Sequence, residues 1–385
     1  MKKWKLNESN FTILDRFKIA KFFISKNNFW TMDTKVQDFE KEMADFIGVK
    51  HAIYVSSGST ANTALAYYVK DNLATSKKNT IVLPSTTWIT SVSPFLREGL
   101  NPSFIDISLN DLSMDLDKLE NLLKQKADEI ACVFVTSLLG ISPDVKRIKA
   151  LQSKYKVRFM LDNCENTFST YKGKNISSYF TSTTSTYFGH QIQSVEGGFI
   201  FTNSDKEKDY FLMCRNHGMT RSLDKPQKYQ NKLVDSKFDF NLLGNNFRNT
   251  EPNAYIGSLD LKRVNIYKSK RLNSYIYFKS LTEDNQAIIH FENEQDYVNY
   301  FFCIPLIFKD KKNKDKIQKY CNNNAIESRP IISGNLLRQT CLKGLGSYKK
   351  YKNSELLNNN GFYVGLHNKV KECQIRDLAK EINKL

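Results

Sequence analysis

A chain of 385 residues exceeds one ordinary compact domain and fits a large domain with a smaller companion, for which 41% hydrophobic residues supply the core. The formal charge of +17 is spread over lysines mixed with Asn and Glu and accompanies no nucleic-acid motif, so it is assigned mainly to solvated surface and nucleic-acid binding is set aside. No apolar run reaches the length of a membrane span, and the seven cysteines are odd in number, far apart and never spaced Cys-x-x-Cys, which predicts reduced thiols, no metal site and a soluble, cytoplasmic protein.

The first seven residues carry charge with no apolar segment behind them. Disorder is expected only at the first few residues and in the Lys-rich stretch 309–314. Residues 34–47 place Val36, Phe39, Met43, Phe46 and Ile47 at three- and four-residue spacing, the apolar stripe of a helix. Seven short apolar runs follow, at 52–55, 81–83, 103–105, 131–135, 158–161, 186–188 and 199–201. Apolar strands alternating with helical stretches predict an α/β fold whose mostly parallel sheet is covered on both faces. From Pro252 onward, Ile256, Leu259, Val264, Tyr267 and Leu272 keep a rough helical period, read as a helix bridging to a smaller α+β domain. The boundary is placed near residue 255, giving a large domain at 1–255 and a C-terminal domain at 256–385. No internal repeat is evident.

Ligands of open α/β sheets collect at the carboxyl ends of the strands, so the residues after each run are the first candidates. Ser57-Gly58-Ser59-Thr60 follows the run ending at Val55 and opens a helix, where free N–H groups beside a glycine make an anion cradle. Taken alone, an ordinary Ser/Thr cap is the stronger reading of those residues. Trp88 follows the next run and Asp162 ends the fifth; alone, they read as a core indole and a turn residue.

The segment Tyr187-Phe188-Gly189-His190-Gln191-Ile192-Gln193-Ser194-Val195-Glu196-Gly197-Gly198 changes that balance. It resembles the DegT-type pyridoxal phosphate (PLP) enzymes that act on nucleotide-linked keto-sugars, in which a Schiff-base lysine stands six residues before the Glu of a Glu-Gly-Gly triplet. Here that position is His190, and no lysine occurs between Lys174 and Lys206. The likeness runs from Phe39-Glu40 to Gly361-Phe362-Tyr363-Val364-Gly365 and is to a histidine-bearing branch that removes the C3 hydroxyl of GDP-4-keto-6-deoxymannose.

The resemblance implies the aspartate-aminotransferase (type I PLP) fold, with a seven-stranded large domain. It implies PLP bound without a covalent link, converted to pyridoxamine phosphate by L-glutamate, and His190 serving as base and then acid. Ser59, Thr60 and Ser185 would meet the phosphate, Trp88 would stack on the ring, and Asp162 would face the pyridine nitrogen. Glu165 stands where the family's aminotransferases mostly carry Gln or His, a second departure toward dehydration. Asn246 would reach the cofactor of the neighbouring subunit in a homodimer with shared active sites. His217, Arg221, Arg248 and Arg329 are candidates for the sugar, its diphosphate or the glutamate carboxylate. The expected reaction is C3 deoxygenation of a nucleotide-linked 4-keto-6-deoxy sugar, with ammonia released. The alternatives are a sugar aminotransferase working without its lysine, a CDP-sugar dehydratase with an iron–sulfur centre, against which the cysteine spacing weighs, and a non-catalytic cofactor sensor.

Overall fold

The computed structural model describes residues 3–25, 29–292 and 295–385. Helices α1 (Ile13–Ile24) and α2 (Thr34–Ile47) lead into β1 (His51–Val55), α3 (Gly58–Asn72), β2 (Thr80–Pro84), α4 (Ser93–Arg97) and β3 (Asn101–Ile105). Then come α5 (Leu116–Lys126), β4 (Ile130–Thr136), α6 (Val145–Tyr155), β5 (Arg158–Asp162), β6 (Thr170–Tyr171), β7 (Lys174–Asn175), β8 (Thr181–Ser185), β9 (Gly198–Thr202) and α7 (Asp205–Arg215). The C-terminal third holds α8 (Glu251–Leu261), α9 (Val264–Thr282), β10 (Tyr297–Val298), β11 (Cys303–Ile307) and α10 (Lys311–Asn323). It closes with β12 (Ser328–Pro330), α11 (Lys352–Asn360), β13 (Gly361–Gly365) and α12 (Glu372–Ile382).

Seven strands form one sheet in the order β1-β9-β8-β5-β4-β2-β3. The five from β8 to β3 are parallel, and β9 runs against both of its neighbours. Alternate side chains of each strand enter different cores: Ile81, Leu83, Phe134 and Met160 pack on one face, and Val82, Val133, Val135, Phe159 and Leu161 on the other. Burial on both faces is why these strands read as continuous apolar runs. Truncating a fully buried Phe134 to alanine would cost about 3–5 kcal/mol.

One strand escaped the apolar pattern. The run 186–188 is not a strand, and Tyr187 and Phe188 are exposed. The sheet uses Thr181-Ser182-Thr183-Thr184-Ser185 instead, every residue of it buried. The hydroxyls of Thr181 to Thr184 are satisfied internally, Thr183 donating to Asn62 Oδ1 at 2.7 Å and Ser182 to the Ser177 carbonyl at 3.0 Å. β-Branched threonine suits a strand, and hydrogen bonds replace the missing apolar signal.

A three-stranded antiparallel sheet, β11-β13-β12, carries a separate core with Ile304, Leu306, Phe362 and Val364. The single bridging helix expected from 252 is two helices, broken at Lys262–Arg263, and residue 255 lies inside the first. α8 packs on α2 and α9 packs on α12, so the chain crosses between the two cores at that break. The Lys-rich stretch is ordered: Lys311 opens α10, capped by Asp310, which accepts from Lys312 N at 2.9 Å. Met1 and Lys2 lie outside the described residues, whereas Trp4 is 2% exposed and packs in the C-terminal core. Among the described residues, no helix is long and apolar enough to cross a membrane.

Candidate active site

The carboxyl ends of β1, β2, β4, β5 and β8 open into a cavity of about 380 Å³, closed from the other side by β12 and β13. Ser59, Trp88, Asp162, Glu165, Ser185, His190 and Arg329 all line it. The lining described contains no lysine.

Helix α3 begins at the cavity floor. Ser57 caps it, accepting from Thr60 N at 3.1 Å, while Thr60 Oγ1 accepts from Ser57 N at 3.0 Å. That capping box occupies Thr60, which does not line the cavity. The N–H groups of Gly58 and Ser59 have no acceptor among the described residues, as expected of the first helical turn. Two glycines make room for this floor. A Cβ on Gly58 would stand 2.8 Å from Cys164 Sγ and 2.9 Å from Ser185 Cβ, and one on Gly198 would stand 2.5 Å from Gly58 N.

Asp162 is 3% exposed at the end of β5. Its Oδ2 accepts from Asn62 Nδ2 at 2.7 Å and Ser91 Oγ at 2.6 Å, and its Oδ1 from Cys164 N at 3.1 Å. Cys164 in turn offers its carbonyl oxygen to His190 Nδ1 at 2.6 Å. A carbonyl only accepts, so Nδ1 carries the ring proton of the neutral imidazole and Nε2 keeps its lone pair. Nε2 makes no hydrogen bond among the described residues. Burial lowers the His190 pKa from its ordinary 6.5, partly offset by the Cys164 carbonyl and the Asp162 charge, so the ring is neutral and basic at neutral pH. Glu165 Oε2 accepts from Leu139 N at 3.0 Å, and burial, with the nearby Asp162 carboxylate adding to it, pushes the Glu165 pKa up to about 7. Trp88 is 56% exposed, its indole open to the cavity. Arg329 faces Tyr363 across the β12–β13 pair and has no carboxylate partner among the described residues.

The sequence model of the DegT/DnrJ/EryC1/StrS aminotransferase family matches residues 19–383. The chain belongs to that family. It is 30% identical over 374 residues to the GDP-4-keto-6-deoxy-D-mannose 3-dehydratase of Yersinia pseudotuberculosis, covering 94% of each chain. A solved structure of the E. coli GDP-4-keto-6-deoxy-D-mannose-3-dehydratase with bound hydrated PLP superposes with a TM-score of 0.90 at 26% identity, over 98% of this chain and 99% of that one. A structure of GDP-4-keto-6-deoxymannose-3-dehydratase with a trapped PLP–glutamate geminal diamine gives the same TM-score and identity over 98% and 100%. The seven-stranded sheet with its smaller C-terminal sheet is therefore the PLP aminotransferase fold.

Within this DegT-family fold the remaining candidates lie elsewhere. Arg221 and Arg248 line a second, open cavity with Glu40, Lys41 and Arg215, and Arg248 donates to Asn216 Oδ1 at 3.1 Å. Asn246 is exposed and pairs through its backbone with Asn216. His217 takes a left-handed φ of 60° in the same loop. None of these four residues reaches the His190 cavity of its own chain.

Several working residues carried no signal of their own. Asn62 lies one turn into α3 and becomes the clamp of Asp162 only through a contact between residues 100 positions apart. Cys164 acts through its backbone, and Phe302 sets its ring 5.7 Å from that of His190. The one available hint for Asn62 was a buried-face polar residue on an otherwise Ala-rich helix.

Proposed function

We propose that this protein is a PLP/pyridoxamine phosphate-dependent 3-dehydratase of a nucleotide-linked 4-keto-6-deoxy sugar, acting on GDP-4-keto-6-deoxymannose with L-glutamate as amino donor and releasing ammonia. One observation carries the reading. The cavity presents an imidazole with a free Nε2 where covalent attachment of the cofactor would need an amine. Supporting it, the Yersinia relative at 30% identity and the two solved structures at 26% identity are 3-dehydratases of that sugar, those structures holding hydrated PLP and a PLP–glutamate adduct, whereas two solved aminotransferases of the same fold match at 20% and 18% identity.

The residues fit a phosphorylated pyridine. The unpaired N–H groups of Gly58 and Ser59, with the hydroxyls of Ser59 and Ser185, suit a phosphate at the start of α3. Trp88 offers a flat face, and Asp162, oriented by Asn62 and Ser91, a carboxylate for a protonated ring nitrogen. When bound, the cofactor supplies an electron-accepting ring and, after taking nitrogen from glutamate, an amine able to condense with the sugar's C4 ketone. Nε2 of His190 takes up a proton and then delivers it to the departing C3 hydroxyl, so one side chain acts as base and acid. Glu165, whose pKa burial raises to about 7, holds less negative charge beside Asp162 than an ordinary carboxyl would. Arg329 pairs with the glutamate carboxylate or the diphosphate.

His217, Arg221, Asn246 and Arg248 serve the site of a partner subunit in a homodimer. Supporting this are the exposed apolar side chains of α1, among them Ile13, Phe17 and Ile24, and of the loop that carries those residues, where Leu243 is 97% exposed. The protein would work in the cytoplasm, where nucleotide sugars are made.

The reading is tested by incubating the protein with glutamate, cofactor and a panel of nucleotide-linked 4-keto sugars and weighing the products. Loss of the C3 oxygen without gain of nitrogen supports it. A product that keeps that oxygen and gains nitrogen makes the protein an aminotransferase instead.

A further inference from the structure

With no covalent tether at residue 190, the protein's own bonds must hold the base in place. Two buried glutamines do this on either side of Ile192. Gln191 Nε2 donates to the Tyr300 carbonyl at 2.5 Å and its Oε1 accepts from Phe168 N at 3.2 Å, fixing the loop from within. Gln193 is held by a different part of the chain. Its Oε1 accepts from Asn10 N at 3.1 Å and its Nε2 donates to the Glu8 carbonyl at 3.2 Å. Its backbone N–H donates to Asp260 Oδ2 at 2.9 Å. Asn7 Nδ2 donates to the Phe188 carbonyl at 2.5 Å, two residues before His190.

The same N-terminal residues are anchored to the C-terminal sheet. Trp4 Nε1 donates to the Gly365 carbonyl at 2.9 Å, and its backbone forms a parallel bridge with Ile326. Leu6 N donates to Glu327 Oε2 at 3.0 Å, and His367 Nε2 stands 3.1 Å from the Lys5 carbonyl. We propose that residues 3–10 form a strap that positions the catalytic base, linking the β11-β13-β12 sheet to the His190 loop through Asn7 and Gln193. This rests on His190 as the base. Asn7 and Gln193 are positioning residues: they touch neither cofactor nor substrate, and they act by keeping Nδ1 on the Cys164 carbonyl so that Nε2 faces the reaction.

The test uses the full chain with Gln193→Met or Asn7→Ala. Ring-nitrogen spectra of the protein before cofactor is added, with His190 assigned among the five histidines by comparison with His190→Asn, report the tautomer directly. Wild type should show a single Nδ1–H tautomer, and Gln193→Met a mixture. With cofactor, glutamate and GDP-4-keto-6-deoxymannose, Gln193→Met should lower kcat about tenfold and leave the sugar KM within about twofold, with a smaller loss of kcat for Asn7→Ala. If Gln193→Met does not fold, Asn7→Ala, a half-buried residue, decides. Folded variants with the wild-type ring spectrum would overturn the strap, whatever happens to kcat. A ring spectrum that shifts in the variants, in a wild type that releases no deoxygenated sugar, would sustain the strap and remove the dehydratase reading.

Discussion

The Cys164 backbone joins the carboxylate and the imidazole of the site: its N–H meets Asp162 Oδ1 at 3.1 Å and its carbonyl meets His190 Nδ1 at 2.6 Å. A single residue thereby fixes the carboxylate expected at the ring nitrogen and the tautomer of the base. Because both contacts are made by backbone, substitution of the Cys164 side chain leaves them in place.

Cofactor held by this site should stay unlinked to the chain. Borohydride treatment of the PLP-loaded protein followed by intact mass measurement should find the bare wild-type chain, and His190→Lys should gain the mass of the reduced cofactor. An adduct on the wild type would place an attacking amine within the cavity, where the lining described has none.

Gly58→Ala tests the phosphate floor. The added methyl meets Cys164 Sγ at 2.8 Å and Ser185 Cβ at 2.9 Å, the latter on the fully buried strand β8, which yields only with distortion. An overpacking cost of about 1–3 kcal/mol at the cofactor's anchor should weaken cofactor affinity about tenfold or more, read by fluorescence titration. Unchanged affinity would move the phosphate away from α3.

The pH profile separates the base from its acidic neighbour. A base works when neutral, and His190 is lowered by burial, so the acid limb of kcat/KM should fall as pH drops through a value below 6.5. Glu165, pushed up to about 7 by burial and useful when protonated, should add a second inflection there, with activity falling toward the alkaline side. Glu165→Gln should remove the inflection near pH 7 and keep the lower one. A lower limb above 6.5 would contradict the buried, neutral imidazole.

Much of this was legible in the chain because it is local. The stripe Val36, Phe39, Met43 and Ile47 is buried on α2, and six of the seven expected strands lie where apolar runs stood. His190 is legible because the six-residue spacing that the family resemblance supplies, back from Glu196, falls within one loop. What stayed hidden depends on distant partners. The strand Thr181–Ser185 is buried by hydrogen bonds to Asn62, Ser177 and Glu207, and Asp162 is oriented by Asn62 and Ser91, contacts that no spacing rule reveals. Residue types alone favour a cap at Thr60 and only the family resemblance assigns it to the phosphate; in the fold the cap takes its hydroxyl.

His367 ties folding stability to pH. It is 6% exposed, with Nδ1 accepting from Lys369 N at 3.2 Å and Nε2 directed at the Lys5 carbonyl, and burial followed by the Arg271 charge pushes it down to about 4. The unfolded chain takes up this proton near 6.5, so the contribution to stability is lost as pH falls from 6.5 to about 4, by about 3 kcal/mol in all. Buried carboxyls such as Glu165 and Asp260, raised to about 7 and about 6, act in the opposite sense, so the comparison must be with His367→Gln. Denaturant unfolding should show wild type losing stability relative to that variant over this window; a difference independent of pH would contradict it.

The most direct measurement is the single-turnover rate of C3 deoxygenation by His190→Asn, a variant of similar size with no titratable nitrogen, using GDP-4-keto-6-deoxymannose and protein preloaded with pyridoxamine phosphate. Proton transfer through Nε2 requires the rate to fall about a hundredfold or more while the cofactor remains bound. A rate equal to that of wild type would show that the imidazole is not the base.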